Sequence, residues 1–201
     1  MWDPAVQGIP RFVTRQYLDL DAIRRISRFR SGEGHSYTDS FEQCRSMKHY
    51  FDPRSPNESA SIRVYSPVDG TVTDVIQEWA GAQIRITPTE YPAFQIILFH
   101  VNVTIPLAID TRVTAGQQLG THIGSQTMSD VAVGVGTPGG FQLVSWFEVL
   151  NEAALDAYRQ RGLASRSDVI IDRADRDSRP LTCSGEQFDS KGTLENWVNL
   201  Q

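Results

Sequence analysis

The sequence predicts a mainly β protein: an antiparallel sheet or sandwich, with one C-terminal helix and an irregular tail. Three observations carry this. Residues 67–70 read Pro-Val-Asp-Gly between two β-branched runs, the strongest short-range signal for a hairpin. Residues 94–103, Phe-Gln-Ile-Ile-Leu-Phe-His-Val-Asn-Val, are almost continuously apolar, which fits a central strand buried on both faces. Short apolar runs then recur between Gly- and Asp-containing turns as far as residue 144.

The elements follow in order. Residues 1–18 are irregular, with Pro4, Gly8 and Pro10 breaking any periodicity. From Asp19 to Phe29, the spacing of Leu20, Ile23 and Ile26 predicts a short helix or turn capped by Asp19 or Asp21. Residues 52–60 carry loop signals throughout. Strands are expected at 62–66, 71–76, 82–87, 94–103, within 111–124, at 129–135 and at 141–144. Apolar positions 147, 150, 154, 155 and 158 have helical spacing, and Gly162 is placed to stop that helix. The segment 166–179 is rich in Asp and Arg, with Val169–Ile171 expected to touch the core, and Leu194–Leu200 reads as a last packed segment.

Composition narrows the function. At 201 residues the chain suits a single domain, 1–201, large enough to bury a core without a staple. A net charge of −5 argues against a general nucleic-acid binder. No apolar run is long enough to span a membrane. The N-terminus shows neither a basic region nor an apolar stretch, which fits an intracellular protein or a secreted one whose signal peptide has been removed. Cys44 and Cys183 are either two separate buried thiols or one disulfide tying the tail to the core. Their polar, loop-like surroundings favour the disulfide, and with it a secreted or periplasmic location.

The densest reactive stretch is Gly34–Phe51. It holds His35 and, four residues on, Asp39, together with Cys44, Arg45, Lys48, His49 and Tyr50. An imidazole and a carboxylate at this spacing suit a metal, although such a pair also arises by chance. His100 ends the long apolar strand, where a histidine bonded to a carbonyl is ordinary. His122 reads as a surface strand position. Asp130 opens the 129–135 strand, either as a cap or as a carboxylate facing a metal.

Taken together, these segments resemble the lysostaphin-like zinc peptidases, cell-wall enzymes with the duplicated hybrid motif fold. The family's H-x-x-x-D motif corresponds to His35–Asp39. Its strand-turn-strand with Asp-Gly corresponds to Val64–Val72, and its strand ending in a catalytic histidine to Ile97–His100. Its glycine-punctuated V-x-x-G-x-x-I-G segment corresponds to Val113–Ser125. The resemblance covers residues 28–136 and leaves the helix and tail, 137–201, outside. It departs at the closing H-x-H strand, which here reads Asp130-Val131-Ala132. It implies zinc held by His35, Asp39 and Asp130, with His100 as general base or transition-state donor.

Three functions compete. The first is a secreted metallohydrolase of this type, with a remodelled metal site, acting on peptidoglycan or another extracellular polymer. The second is a polysaccharide lyase or other enzyme on an acidic polysaccharide. There Arg45 and Lys48 bind the anionic group, and His49 and Tyr50 move protons. The third is an inactive glycan- or peptide-binding module, with Trp79, Tyr91 or Trp146 stacking on sugar.

Overall fold

A computed structural model describes residues 1–201. Strand makes up 37% of the chain and helix 17%, so it is mainly β as expected. Thirteen strands form. They are β1 (Ile23–Ser27), β2 (His49–Pro53), β3 (Arg63–Tyr65), β4 (Gly70–Gln77), β5 (Ala82–Pro88), β6 (Phe94–Val103) and β7 (Arg112–Val113). The rest are β8 (Gln118–His122), β9 (Ser129–Thr137), β10 (Gly140–Val144), β11 (Cys183–Ser184), β12 (Gln187–Phe188) and β13 (Trp197–Asn199). Eleven join one sheet whose main path runs β13-β1-β2-β9-β6-β5-β4-β7, while β11 and β12 form a separate hairpin. The ladders are antiparallel throughout.

The strand at 94–103 falls where its apolar run placed it, in the middle of the sheet between β5 and β9. The Asp69-Gly70 turn differs from the expected hairpin. It joins β3 to β4, but β3 pairs with β8 and β4 with β5. The turn is a corner because its polar groups bond outward. Asp69 Oδ1 accepts from Ala115 N–H, and the Pro67 carbonyl from the Thr14 and Arg15 N–H groups. Gly70 is required for close approach, since a Cβ there would lie 2.6 Å from the Thr87 carbonyl oxygen.

Two helix expectations are corrected. Leu20–Ala22 forms one 3₁₀ turn, and Ile23–Ser27 is a strand. A bulge between Ile23 and Arg25 breaks the two-residue alternation, so Ile23 and Ile26 both reach the core at a spacing that mimics a helix. The helix expected from 147 to 161 is two: α2 (Trp146–Val149) and α3 (Glu152–Arg159), after a short α1 (Pro4–Gln7) near the start. Leu150 is extended, and the Asn151 side chain accepts from Ala154 N–H to cap α3. The loop expected at 52–60 instead contains the end of β2 and a 3₁₀ helix, Pro56–Ser61.

The core is one cluster of 34 buried residues, with a second of six: Phe29, Met47, Ile97, Phe99, Ala132 and Leu143. The C-terminal segment closes over this second cluster. Ile170 bridges Phe29, β13 pairs with β1, and α4 (Arg173–Ser178) sends the buried Arg176 side chain to the Arg30 carbonyl. Cys44 and Cys183 are disulfide-bonded, with Cα atoms 5.8 Å apart. No helix is long and apolar enough to cross a membrane.

Candidate functional site: a pocket over a buried Lys-Asp pair

Strand alternation builds the site. On β2, Tyr50 lies directly across from Asp130 of β9, so both point to one face of the sheet. Lys48 and Asp52, two residues to either side, share that face and line a pocket of about 350 Å³ with Tyr50. His49 points the other way. It is fully buried, with Nδ1 2.8 Å from the Ser27 carbonyl oxygen and Nε2 2.8 Å from Ser145 Oγ. Its surroundings hold its pKa down at about 4, mainly through burial.

The pocket floor is an ion pair. Lys48 Nζ is 2.5 Å from Asp130 Oδ2, and both side chains are essentially inaccessible to water. The ammonium also sits 4.1 Å from the Phe99 ring centre, 4.9 Å from Tyr37 and 5.1 Å from Tyr50. Such an aromatic cage suits a desolvated cation. His100 Nε2 lies 3.3 Å from Asp130 Oδ1, and its Nδ1 is 2.9 Å from the Ala80 carbonyl oxygen. His100 has a positive φ of 60°, at a bulge in the β5–β6 ladder that lets Leu98 and Val101 both face the main core. This conformation costs a non-glycine residue about 1–2 kcal/mol, and it turns His100 to the pocket.

The walls come from distant segments. Gly34 and His35 form one side. Gly34 has φ of 66°, and a Cβ on it would lie 2.0 Å from Tyr50 Oη, so only glycine fits between this loop and the tyrosine. Tyr50 Oη accepts from His35 N–H at 3.4 Å, and Ser36 N–H donates to the Glu186 carbonyl at 2.7 Å. The His35 pKa is lowered, first by burial and then by the Lys48 ammonium. Burial, reinforced by the Asp130 charge, raises that of Tyr50, while burial carries Tyr37 up to about 12. Trp79 stands at the rim, 77% exposed, its ring 6.0 Å from that of His100.

Not every expected residue is here. The structure brings together Lys48, Tyr50, His100 and Asp130, with His35 on the wall. Asp39 lies elsewhere, with both oxygens occupied: Oδ1 accepts from Phe41 and Glu42 N–H, and Oδ2 from Leu143 N–H. Arg45 is bound to Glu42 at 2.7 Å and Asp177 at 2.8 Å, outside the pocket. The four-residue cluster Arg45, Lys48, His49 and Tyr50 is therefore split by alternation and by competing carboxylates. His122, expected on the surface, is buried, and its Nε2 has no partner. Trp146 is fully buried and Tyr91 packs against the core, which leaves Trp79 as the exposed aromatic of the three.

Zinc requires at least three N, O or S ligands converging on one point. No three His, Cys, Asp or Glu side chains do so. Neither Asp130 oxygen has an aligned hydrogen-bond donor, yet the Lys48 ammonium already presses on one of them. An ammonium cannot ligate a metal, and its charge repels one. The residues present do not fit zinc in this arrangement. Strand β2 pairs with Ser129–Val131, and Lys48 immediately before it and Asp52 within it are spaced as lysine and aspartate four residues apart. Asp52 in turn is bound by Arg25 at 2.5 Å and Arg24 at 2.9 Å. Ala132 belongs to the six-residue apolar cluster.

No family model matches the sequence, and no curated protein matches it. Partial likenesses to solved structures exist. One is a protein assigned as a glycyl-glycine endopeptidase, LytM, from Ruminococcus gnavus: 21% identity, TM-score 0.43, covering 54% of this chain and 47% of that one. A second is lysostaphin, at 14% identity and TM-score 0.34, covering 55% and 49%. A third is a zinc-containing peptidase from Vibrio cholerae, at 16% identity and TM-score 0.36, covering 61% and 39%. The chain spans less than half the length of each. Likenesses this partial assign no activity to it.

Proposed function

We propose that this chain is a secreted binding module that holds a segment of an extracellular polymer in the pocket between His35, Trp79 and His100, without metal-dependent hydrolysis. The observation that carries this reading is the Lys48–Asp130 pair. A fixed internal cation occupies the carboxylate that a hydrolytic metal would need. The disulfide fits an oxidising compartment. The pocket volume lies at the lower end of the range for small-ligand clefts, about 300–1,000 Å³.

The lyase reading loses its support because His49 and Arg45 do not reach the pocket. The hydrolase reading stands or falls on metal content. The test is zinc analysis of the purified chain before and after chelator dialysis, beside binding and hydrolysis assays on peptidoglycan. Saturable binding without turnover, and no chelator-sensitive zinc, is expected. About one tightly held zinc per chain, with chelator-sensitive hydrolysis, would refute the binding module and restore the metallohydrolase.

A further inference from the structure

We propose that the pocket takes an uncharged saccharide, with one sugar ring stacked on Trp79. The inference rests on the binding reading above and narrows its ligand class.

Charge comes first. The charged groups facing the pocket are closed among themselves. Lys48 is matched by Asp130, and Asp52 by Arg24 and Arg25. Burial and the nearby Lys48 ammonium both disfavour a charge on His35, whose Nδ1 lies 3.1 Å from the Ser36 carbonyl oxygen. An anionic ligand would find no free cation, and a cationic ligand no free carboxylate. Either would lose hydration without a partner. A neutral polar ligand escapes that penalty.

Shape comes second. Trp79 lies in the turn between β4 and β5, where Glu78 N–H donates to the Gly81 carbonyl at 2.9 Å. One edge of its ring contacts His100, and the rest stands in solvent at the mouth. A large apolar ring presented beside a polar pocket is a stacking platform. Sugar rings match it, because their C–H faces are apolar and their edges carry hydroxyls. His35, Ser125 and Thr127 offer polar partners for those hydroxyls.

Strand pairing disfavours a peptide. One common mode of extended-peptide binding adds a strand to an open sheet edge. The strands under the pocket have no open edge: β2 lies between β1 and β9, and β6 is paired by β5, β8 and β9. A ligand here gains no strand ladder and relies on the lining side chains and loops.

The test is calorimetric titration of the full oxidised chain with chitotriose, cellotriose, oligogalacturonate and a neutral tetrapeptide. Saturable binding of at least one uncharged trisaccharide is expected, with Kd changing less than about twofold between low and high salt. Trp79→Ala should weaken it about tenfold or more, and Trp79→Tyr should keep most of it. Thermal melts of both variants establish that they fold. Equal affinity in wild type and a folded Trp79→Ala would overturn the proposal. So would preference for oligogalacturonate with steep salt dependence. Binding of the peptide but of no sugar would overturn the saccharide alone and leave the binding module standing. Failure of all four ligands would overturn both.

Discussion

Replacing Lys48 by methionine tests the centre of the site most directly. The change keeps the length of the stem and removes the ammonium, leaving Asp130 fully buried with its nearest cation gone. Losing one member of a buried pair costs about 3–5 kcal/mol, because the remaining charge is stranded in low dielectric. For a chain of this length a loss of that size lowers Tm by roughly 6–20 °C. Asp130→Val strands the lysine and should cost a similar amount. The double variant Lys48→Met/Asp130→Val removes both charges and should lie well above the sum, since an apolar replacement of a buried pair is often neutral or better. Urea unfolding of the four proteins, with the disulfide intact, gives the coupling energy. Two small and additive losses, each under about 1 kcal/mol, would show that the pair is not desolvated and that this account of the site is wrong.

Three further outcomes are expected. His49 titrates at about 4 in the fold against about 6.5 unfolded, so the unfolded chain binds more protons between those values. Stability should be full above about pH 6.5 and fall by roughly 3 kcal/mol as pH drops towards 4, and urea midpoints of His49→Gln should flatten in that window. Breaking the 139-residue disulfide loop with Cys44→Ala/Cys183→Ala should cost up to about 5 kcal/mol on the chain-entropy model, read by unfolding and by faster proteolysis near residues 183–191. Gly34→Ala forces a positive φ on alanine and a clash with Tyr50, so it should destabilise by about 1–3 kcal/mol and weaken ligand binding, measured by melting and titration.

The parts of the fold that could be read in the sequence are those whose signal is local. The 94–103 strand announces itself by ten residues of composition, and the β9 strand by its Val-rich run. Where a bulge shifts alternation, as at Ile23–Arg25, the same reasoning gives a short helix or turn in place of the strand, because a three-residue spacing belongs to both. The Asp69-Gly70 turn shows another limit. Its chemistry is a turn, but which strands it joins depends on partners at Ala115 and Thr14 that no local pattern reveals. The site was legible as a list of residues and not as an arrangement. His100, Asp130, Lys48 and Tyr50 were all singled out. That Lys48 faces Asp130 while His49 turns away follows from the β2–β9 register, a pairing across about eighty residues. Alternation along Lys48-His49-Tyr50 was the available clue, had that stretch been read as a strand.

The chain contains two lysines, Lys48 and Lys191. Lys48 is sealed beneath the aromatic cage, whereas the Lys191 side chain is 64% exposed beside Glu33. A folded molecule therefore presents a single lysine amine to an acylating reagent. Among lysine side chains, acylation is confined to Lys191, which lies outside the ligand pocket. Lys48 itself reacts only when the sheet opens, so acylation at that residue, located by peptide mapping, reports opening in native buffer.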